Sequence, residues 1–232
     1  MAIAFALPFG AFLSLGALIS NLFEPFGFTP SELSLVALNI LAAGIIGAVL
    51  VGILIDKTGK YKCVMQIVLF LTTGATIMII VTLSYYLKNE SMFIGWCEVL
   101  GFVSTGFVPL SLAYGAELTF PLQPALVNGT LTLLGSVSAF VHSMFGAYMN
   151  TVGKHDHLLS PDELIYVRQL RSKTVISVLA ITSFIAFLLS FIIKEDLKRL
   201  RYSEKQKNKK EKKVSEDKDQ EAKNEGAYRS DE

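Results

Sequence analysis

Gly52-Ile53-Leu54-Ile55-Asp56-Lys57-Thr58-Gly59-Lys60-Tyr61-Lys62 is a charged turn held between two long apolar runs. Residues 34–55 carry no charged side chain, and neither do residues 63–87. Each run exceeds the ~20 residues that an α-helix needs to cross hydrocarbon. So few residues separate them that both helix ends lie at one membrane face, as a hairpin. Gly59 can take the positive φ of a sharp reversal without steric cost. Asp56 falls at the C-terminal end of the first helix, where the backbone dipole disfavours an anion. It therefore calls for a compensating partner: Lys57, Lys60, Lys62 or the N-terminus of another helix.

The rest of the chain has the same texture. Of its 232 residues 52% are hydrophobic, and the mean hydropathy is +0.49. A soluble domain of this length would intersperse charges at helical period. Here the apolar residues come in unbroken blocks, for which lipid is the suitable solvent. The net charge of +1 hides a segregation, because 13 of the 21 Lys and Arg residues lie from Lys194 onward. No nucleic-acid partner is expected.

Six spans are predicted, at 2–22, 34–55, 63–87, 92–115, 125–149 and 174–193, giving an all-α polytopic membrane domain over 1–202. Pro8 and Pro109 fall inside the first and fourth spans, as kinks rather than breaks. The connections are short except for 150–173. Met1-Ala2 leave no room for a leader or an earlier loop, so the chain is expected to be the C-terminal portion of something larger.

Bases near the span ends set the orientation. One face collects Lys57, Lys60, Lys62 and the segment from Lys194, and is assigned to the cytoplasm. The other collects Lys88, Lys154, Arg168, Arg171 and Lys173, offset in part by Asp156, Asp162 and Glu163. Asn89-Glu90-Ser91 on that second face is a glycosylation sequon close to the membrane. Cys63 and Cys97 begin helices from opposite faces, too far apart for a disulfide.

From Ser203 the composition turns to Lys, Glu, Asp, Asn and Gln, so 203–232 is expected to be a disordered cytoplasmic tail. Its basic part either binds anionic lipid, at roughly 1 kcal/mol per base near the surface, or is simply solvated.

Gly44, Ala48 and Gly52 form an i, i+4, i+8 stripe along which another helix can approach closely. Glu98 is a carboxylate inside an apolar run. Intramembrane acids are functional by default, but Glu98 lies about two turns from the edge, where snorkelling to water is the cheaper account. His142 reads as a hydrogen-bonded packing residue. His155-Asp156-His157 lacks a third partner for a metal site, and Ser136 with His142 lacks the geometry of a hydrolase. No catalytic residue, metal or cofactor is expected, and no phosphate-cradling glycine loop is present for ATP.

The turn, written G-x-L-x-D-K-x-G-K-x-K, resembles the signature loop of the major facilitator superfamily. A second segment is more specific. It runs Gly101-Phe-Val-Ser-Thr-Gly106-Phe-Val-Pro109-Leu, then Ala116-Glu117-Leu-Thr119-Phe120-Pro121, then Asn128-Gly129-Thr-Leu131. This is similar to the feline leukaemia virus subgroup C receptor-related family of that superfamily, over about residues 9–149. The resemblance implies a fold equivalent to the C-terminal six-helix half of such a transporter. Its helices would correspond to the seventh through twelfth.

It further implies alternating access for a small organic solute, a choline- or ethanolamine-like cation or a haem-type metabolite, bound near the midplane between two halves. Phe12 falls where the family places an aromatic tyrosine, keeping the ring face without the hydroxyl. Ser136 falls where the family has a cavity-facing glutamine, and is shorter. With Thr105 these are the substrate-pathway candidates. Gly52, Asp56, Lys57, Gly59, Lys60 and Lys62 are the signature-loop residues. Glu117, at a cytoplasmic helix end, is either a gate partner for Lys57 or Lys60 or a solvated end charge.

The expected partners are the lipid bilayer, a small-molecule substrate, and a missing N-terminal half or a second copy. Two competing readings are an incomplete half-transporter and a non-transporting scaffold acting through its charged tail.

Overall fold

The computed structural model of the chain describes residues 1–85, 90–151 and 160–193. Lys88, Asn89 of the sequon, Lys154, His155-Asp156-His157 and everything from Lys194, including the expected tail 203–232, lie outside the described residues. The described part is built of α1 (Ala2–Phe23), a single 3-10 turn (Glu24–Phe26), α2 (Pro30–Thr58), α3 (Tyr61–Tyr85), α4 (Glu90–Leu118), α5 (Pro124–Thr151) and α6 (Pro161–Ile192). All six α-helices are long and apolar enough to cross a membrane. Each expected span falls on one of them, and Pro8 and Pro109 lie within α1 and α4 without ending either.

The helix ends differ from expectation where capping chemistry extends them. α2 begins at Pro30 because the Thr29 hydroxyl accepts from the Glu32 N–H while the Glu32 carboxylate accepts from the Thr29 N–H. This reciprocal box satisfies two orphan donors of the first turn. Ser160 and Glu163 build the same box ahead of α6. That helix therefore starts thirteen residues before the expected span at 174. Within the expected long connection over 150–173, residues 161–173 are thus the first part of α6, which carries Asp162, Glu163, Arg168, Arg171 and Lys173. Gln169 ties that part to the end of α1, donating to the Pro25 carbonyl at 3.0 Å.

Helix pairing follows the small residues. α2 packs most extensively on α4, and α1 on α5. In the first pair Gly44 faces Thr105, Gly47 faces the Phe102 backbone, Gly101 faces the Ile40 carbonyl, and Gly106 faces Val51 and Gly47. The register advances in the same sense on both helices, so they run parallel. In the second pair Gly10 faces Ser138 and Ala139, Gly135 faces the Phe9 ring, and Gly146 faces Leu18. Packing by such close approach is what holds helices together in lipid. The expected Gly44–Ala48–Gly52 stripe is corrected: the buried seam uses Gly44 and Gly47, whereas Gly52 meets open space. One turn is 3.6 residues, so the seam drifts off an i+4 row and takes an i+3 step.

These pairings carry a symmetry. Exchanging α1 with α4, α2 with α5 and α3 with α6 maps the strong contacts α2–α4 and α3–α4 onto α5–α1 and α6–α1. α1 starts at the face that bears the 56–62 turn and α4 starts at the opposite face, so the two three-helix units are inverted repeats.

The interior divides into two apolar clusters. Leu18, Leu22, Phe23, Leu33, Ile79, Leu83 and Phe93 belong to the one far from the turn. Phe5, Ile55, Met65, Leu69, Phe107, Leu110 and Tyr114 belong to the one near it. α1, α3 and α4 supply most of both. α2 and α5 stay at the rim, with only 22% and 17% of their most apolar stretch buried against 50–56% for α1, α3 and α4.

Candidate functional site

At the turn face, Gly59 takes φ 62° and its N–H bonds back to the Ile55 carbonyl at 2.8 Å, closing α2. This is the left-handed C-terminal cap that favours glycine. Asp56, Lys57 and Lys60 are exposed around it. Lys62 is not a loop charge. It opens α3, and its Nζ donates to the Phe191 carbonyl at 3.2 Å, in the last turn of α6. A cation at a helix C-terminus meets the negative end of the dipole. The signature stretch thereby fastens α2, α3 and α6 at one face.

Tyr61, the first residue of α3, stacks on Tyr114 of α4 with ring centroids 5.9 Å apart and planes 7° from parallel. One turn beyond Tyr114 lies Glu117, only 7% exposed.

The pathway candidates sit in three different settings. Phe12, half-buried on α1, lines a small cavity bounded by α1, α3, α4 and α6. Thr105, half-buried on α4, lies against Gly44 of α2, and its Oγ1 is shielded from solvent without a hydrogen-bond partner. Ser136 is exposed near the middle of α5, between the exposed Leu133 and Phe140. The cavity that Phe12 lines contains neither Thr105 nor Ser136.

On α4, Glu98, Phe102, Thr105 and Pro109 follow i, i+4, i+7, i+11 and so share one helix face. All four are half-buried or exposed. Glu98 is the point where expectation and structure part. Its Oε1 accepts from Asn39 Nδ2 of α2 at 3.0 Å, so it is bonded across the α2–α4 seam rather than turned to water alone. Asn39 lies nine residues into α2 and Glu98 eight residues into α4, and both helices start at the same face. Their depths therefore match. The signal was available in the sequence, since Asn39 is the one amide in the 34–55 run.

A double-mutant cycle with Asn39→Ala and Glu98→Gln is expected to return a coupling energy of about 0.6–1.7 kcal/mol, the range of interhelical hydrogen bonds in membranes. Additive effects on unfolding in detergent would instead mean that Glu98 is solvated.

His142 is buried, and its Nδ1 donates to the Ser138 carbonyl one turn earlier at 2.7 Å. It is a packing residue with its hydrogen bond made inside α5, as the sequence indicates.

The chain matches the family model of the Major Facilitator Superfamily over residues 1–227. It is 27% identical to the choline/ethanolamine transporter FLVCR2 of Rattus norvegicus over 146 residues, 62% of this chain and 26% of that protein. The choline/ethanolamine transporter FLVCR1 of Mus musculus is 26% identical over 137 residues, covering 58% of this chain and 24% of that protein. FLVCR1 of Felis catus, a choline/ethanolamine transporter likewise, is 25% identical over 192 residues, 82% of this chain and 31% of its own. The chain thus spans about a quarter to a third of the length of these relatives.

Proposed function

This chain belongs to the Major Facilitator Superfamily, whose members are integral multi-pass membrane transporters, and from that premise we propose that it forms one six-helix half of an alternating-access carrier for a small organic solute. The observation that carries the reading is the pair of faces left uncovered on α2 and α5, the inverted-repeat equivalents of each other. α2 presents Leu38, Leu41, Ile45 and Val49, and α5 presents Leu133, Val137, Phe140 and Met144. Lipid can solvate those side chains, but not Ser136 and Asn39 beside them at the same cost. A second six-helix unit, an N-terminal half or a second copy, covers both faces and completes the far wall of a midplane cavity.

The turn 56–62 is the cytoplasmic side of this unit, the side that gathers the bases. Substrate enters between the two units, and rocking of one against the other exposes it to each face in turn. Phe12, Thr105 and Ser136 contribute from this half, with Glu117 at the cytoplasmic gate.

The solute class rests on the relatives' names and on chemistry the chain can offer. An organic cation is recognised by aromatic faces and polar groups, without a covalent step. Uptake of labelled choline by the assembled carrier in proteoliposomes tests this. It is expected to saturate and to be competed by ethanolamine but not by an anion of similar size. Competition by the anion alone would overturn the assignment.

A further inference from the structure

We propose that the cavity between α1, α3, α4 and α6 is a binding site for one water molecule, held in a layer of hydroxyls that separates the two apolar cores. Phe12, one of the pathway candidates, borders the cavity, but the groups that would hold the water are hydroxyls of α3, α4 and α6 that the proposed pathway does not use.

Its position comes from the chain. On α3, Leu69 belongs to the cluster near the turn and Ile79 to the far one, with Thr72 and Thr76 between them. On α4, Phe107 and Leu100 belong to the two clusters, and Ser104 lies between. On α6 the same holds for Ala186 and Leu179, with Ser183 between. Thr72, Thr76, Ser104 and Ser183 all line the cavity, opposite Pro8 and Phe12 of α1. Three helices thus turn a hydroxyl inward at one depth, and all four residues are 6% exposed or less.

The donors and acceptors then decide the occupant. The Thr72 hydroxyl donates to the Val68 carbonyl at 2.9 Å, Thr76 to Thr72 at 2.8 Å and Ser183 to Leu179 at 2.9 Å. Each spends its proton on its own helix, so only lone pairs are left for the cavity. Ser104 Oγ is buried and makes no hydrogen bond within the protein, so its proton is unspent. An occupant must therefore both donate to lone pairs and accept from Ser104.

Water does both. A metal cation would be held only by neutral hydroxyls, and no carboxylate lines the wall to offset its desolvation. An anion meets three acceptors. The cavity measures about 20 Å³, above the ~10–15 Å³ that one water requires. The wall is mostly apolar, with the hydroxyls of Thr72, Thr76, Ser104 and Ser183 as its polar groups; a water held in a cavity needs roughly 2–4 such partners.

A high-resolution structure of the protein in lipid tests this directly. It should show one density peak at about 2.7–3.0 Å from Ser104 Oγ, in contact with at least one of Thr76 and Ser183, and Ser104→Ala should lose that peak. An empty cavity overturns the proposal. So does an anomalous signal at the site after sodium is exchanged for rubidium. The unmodified protein supplies a second reading that does not depend on the variant folding: its thermal midpoint should be the same in sodium and in N-methylglucamine buffers. A rise confined to sodium would assign the cavity to a cation instead.

Discussion

Gly47→Ala is expected to lower the thermal midpoint of the bundle, while Gly74→Ala, the same substitution in another spanning helix, leaves it unchanged or raises it. Adding a methyl group to a helical glycine by itself favours the helix by about 0.5–1 kcal/mol. At Gly74 nothing lies within 4 Å of the new atom, so that gain is kept. At Gly47 the methyl would fall on the Phe102 carbonyl of α4, with the carbonyl carbon only 2.7 Å away. Backbone cannot rotate aside as a side chain does, so α2 and α4 must separate. Overpacking of a well-filled core costs roughly 1–3 kcal/mol. The loss here reaches the upper end, because Gly44, Gly101 and Gly106 sit in the same seam. A shift of several degrees follows from the ~2–4 °C per kcal/mol typical of domains this size. Equal behaviour of the two variants in a detergent melt would mean that α2 and α4 are not in close contact.

Ser136→Trp is expected to reduce uptake by the assembled carrier at least about tenfold while leaving the melting of this six-helix unit unchanged. Ser136 is exposed, and its neighbour Gly135, not Ser136 itself, is the residue that seats the Phe9 ring. A large ring at 136 therefore disturbs nothing inside the bundle. In the proposed assembly it would project into the space that the second unit and the solute share. Overpacking there by more than about 1.4 kcal/mol is already a factor of ten. Unaltered uptake would place Ser136 against lipid and remove it from the pathway, and a lowered melting point would expose a structural role.

The fold was legible because its signals are of the kind sequence carries well. Long uncharged blocks imply helices in lipid whatever their neighbours, and Gly59 with its flanking charges implies the reversal that its φ of 62° realises. Helix ends were less so. The first part of α6 carries Asp162, Glu163, Arg168, Arg171 and Lys173, and charge marks where hydrocarbon stops, not where a helix starts. The Ser160–Glu163 box was the available clue.

Pairing was the least legible. A glycine row shows that some helix approaches, but not which one, and a single-helix pattern could not choose between Gly47 and Gly52. Glu98 shows the same limit. Snorkelling is inferred from one helix alone, whereas its hydrogen bond comes from residue 39, which is distant in the chain and equal in depth. Lys62 likewise reads as one base among three until the end of α6 is placed beside it.

The claim on which the account turns is that α2 and α5 are faces awaiting a second six-helix unit. It is tested most directly by uptake of labelled choline into proteoliposomes loaded with residues 1–232 so sparsely that each vesicle holds at most one chain. The account predicts no saturable uptake there, and its appearance when a covering six-helix unit is reconstituted alongside. Saturable uptake by vesicles with one chain each would contradict it.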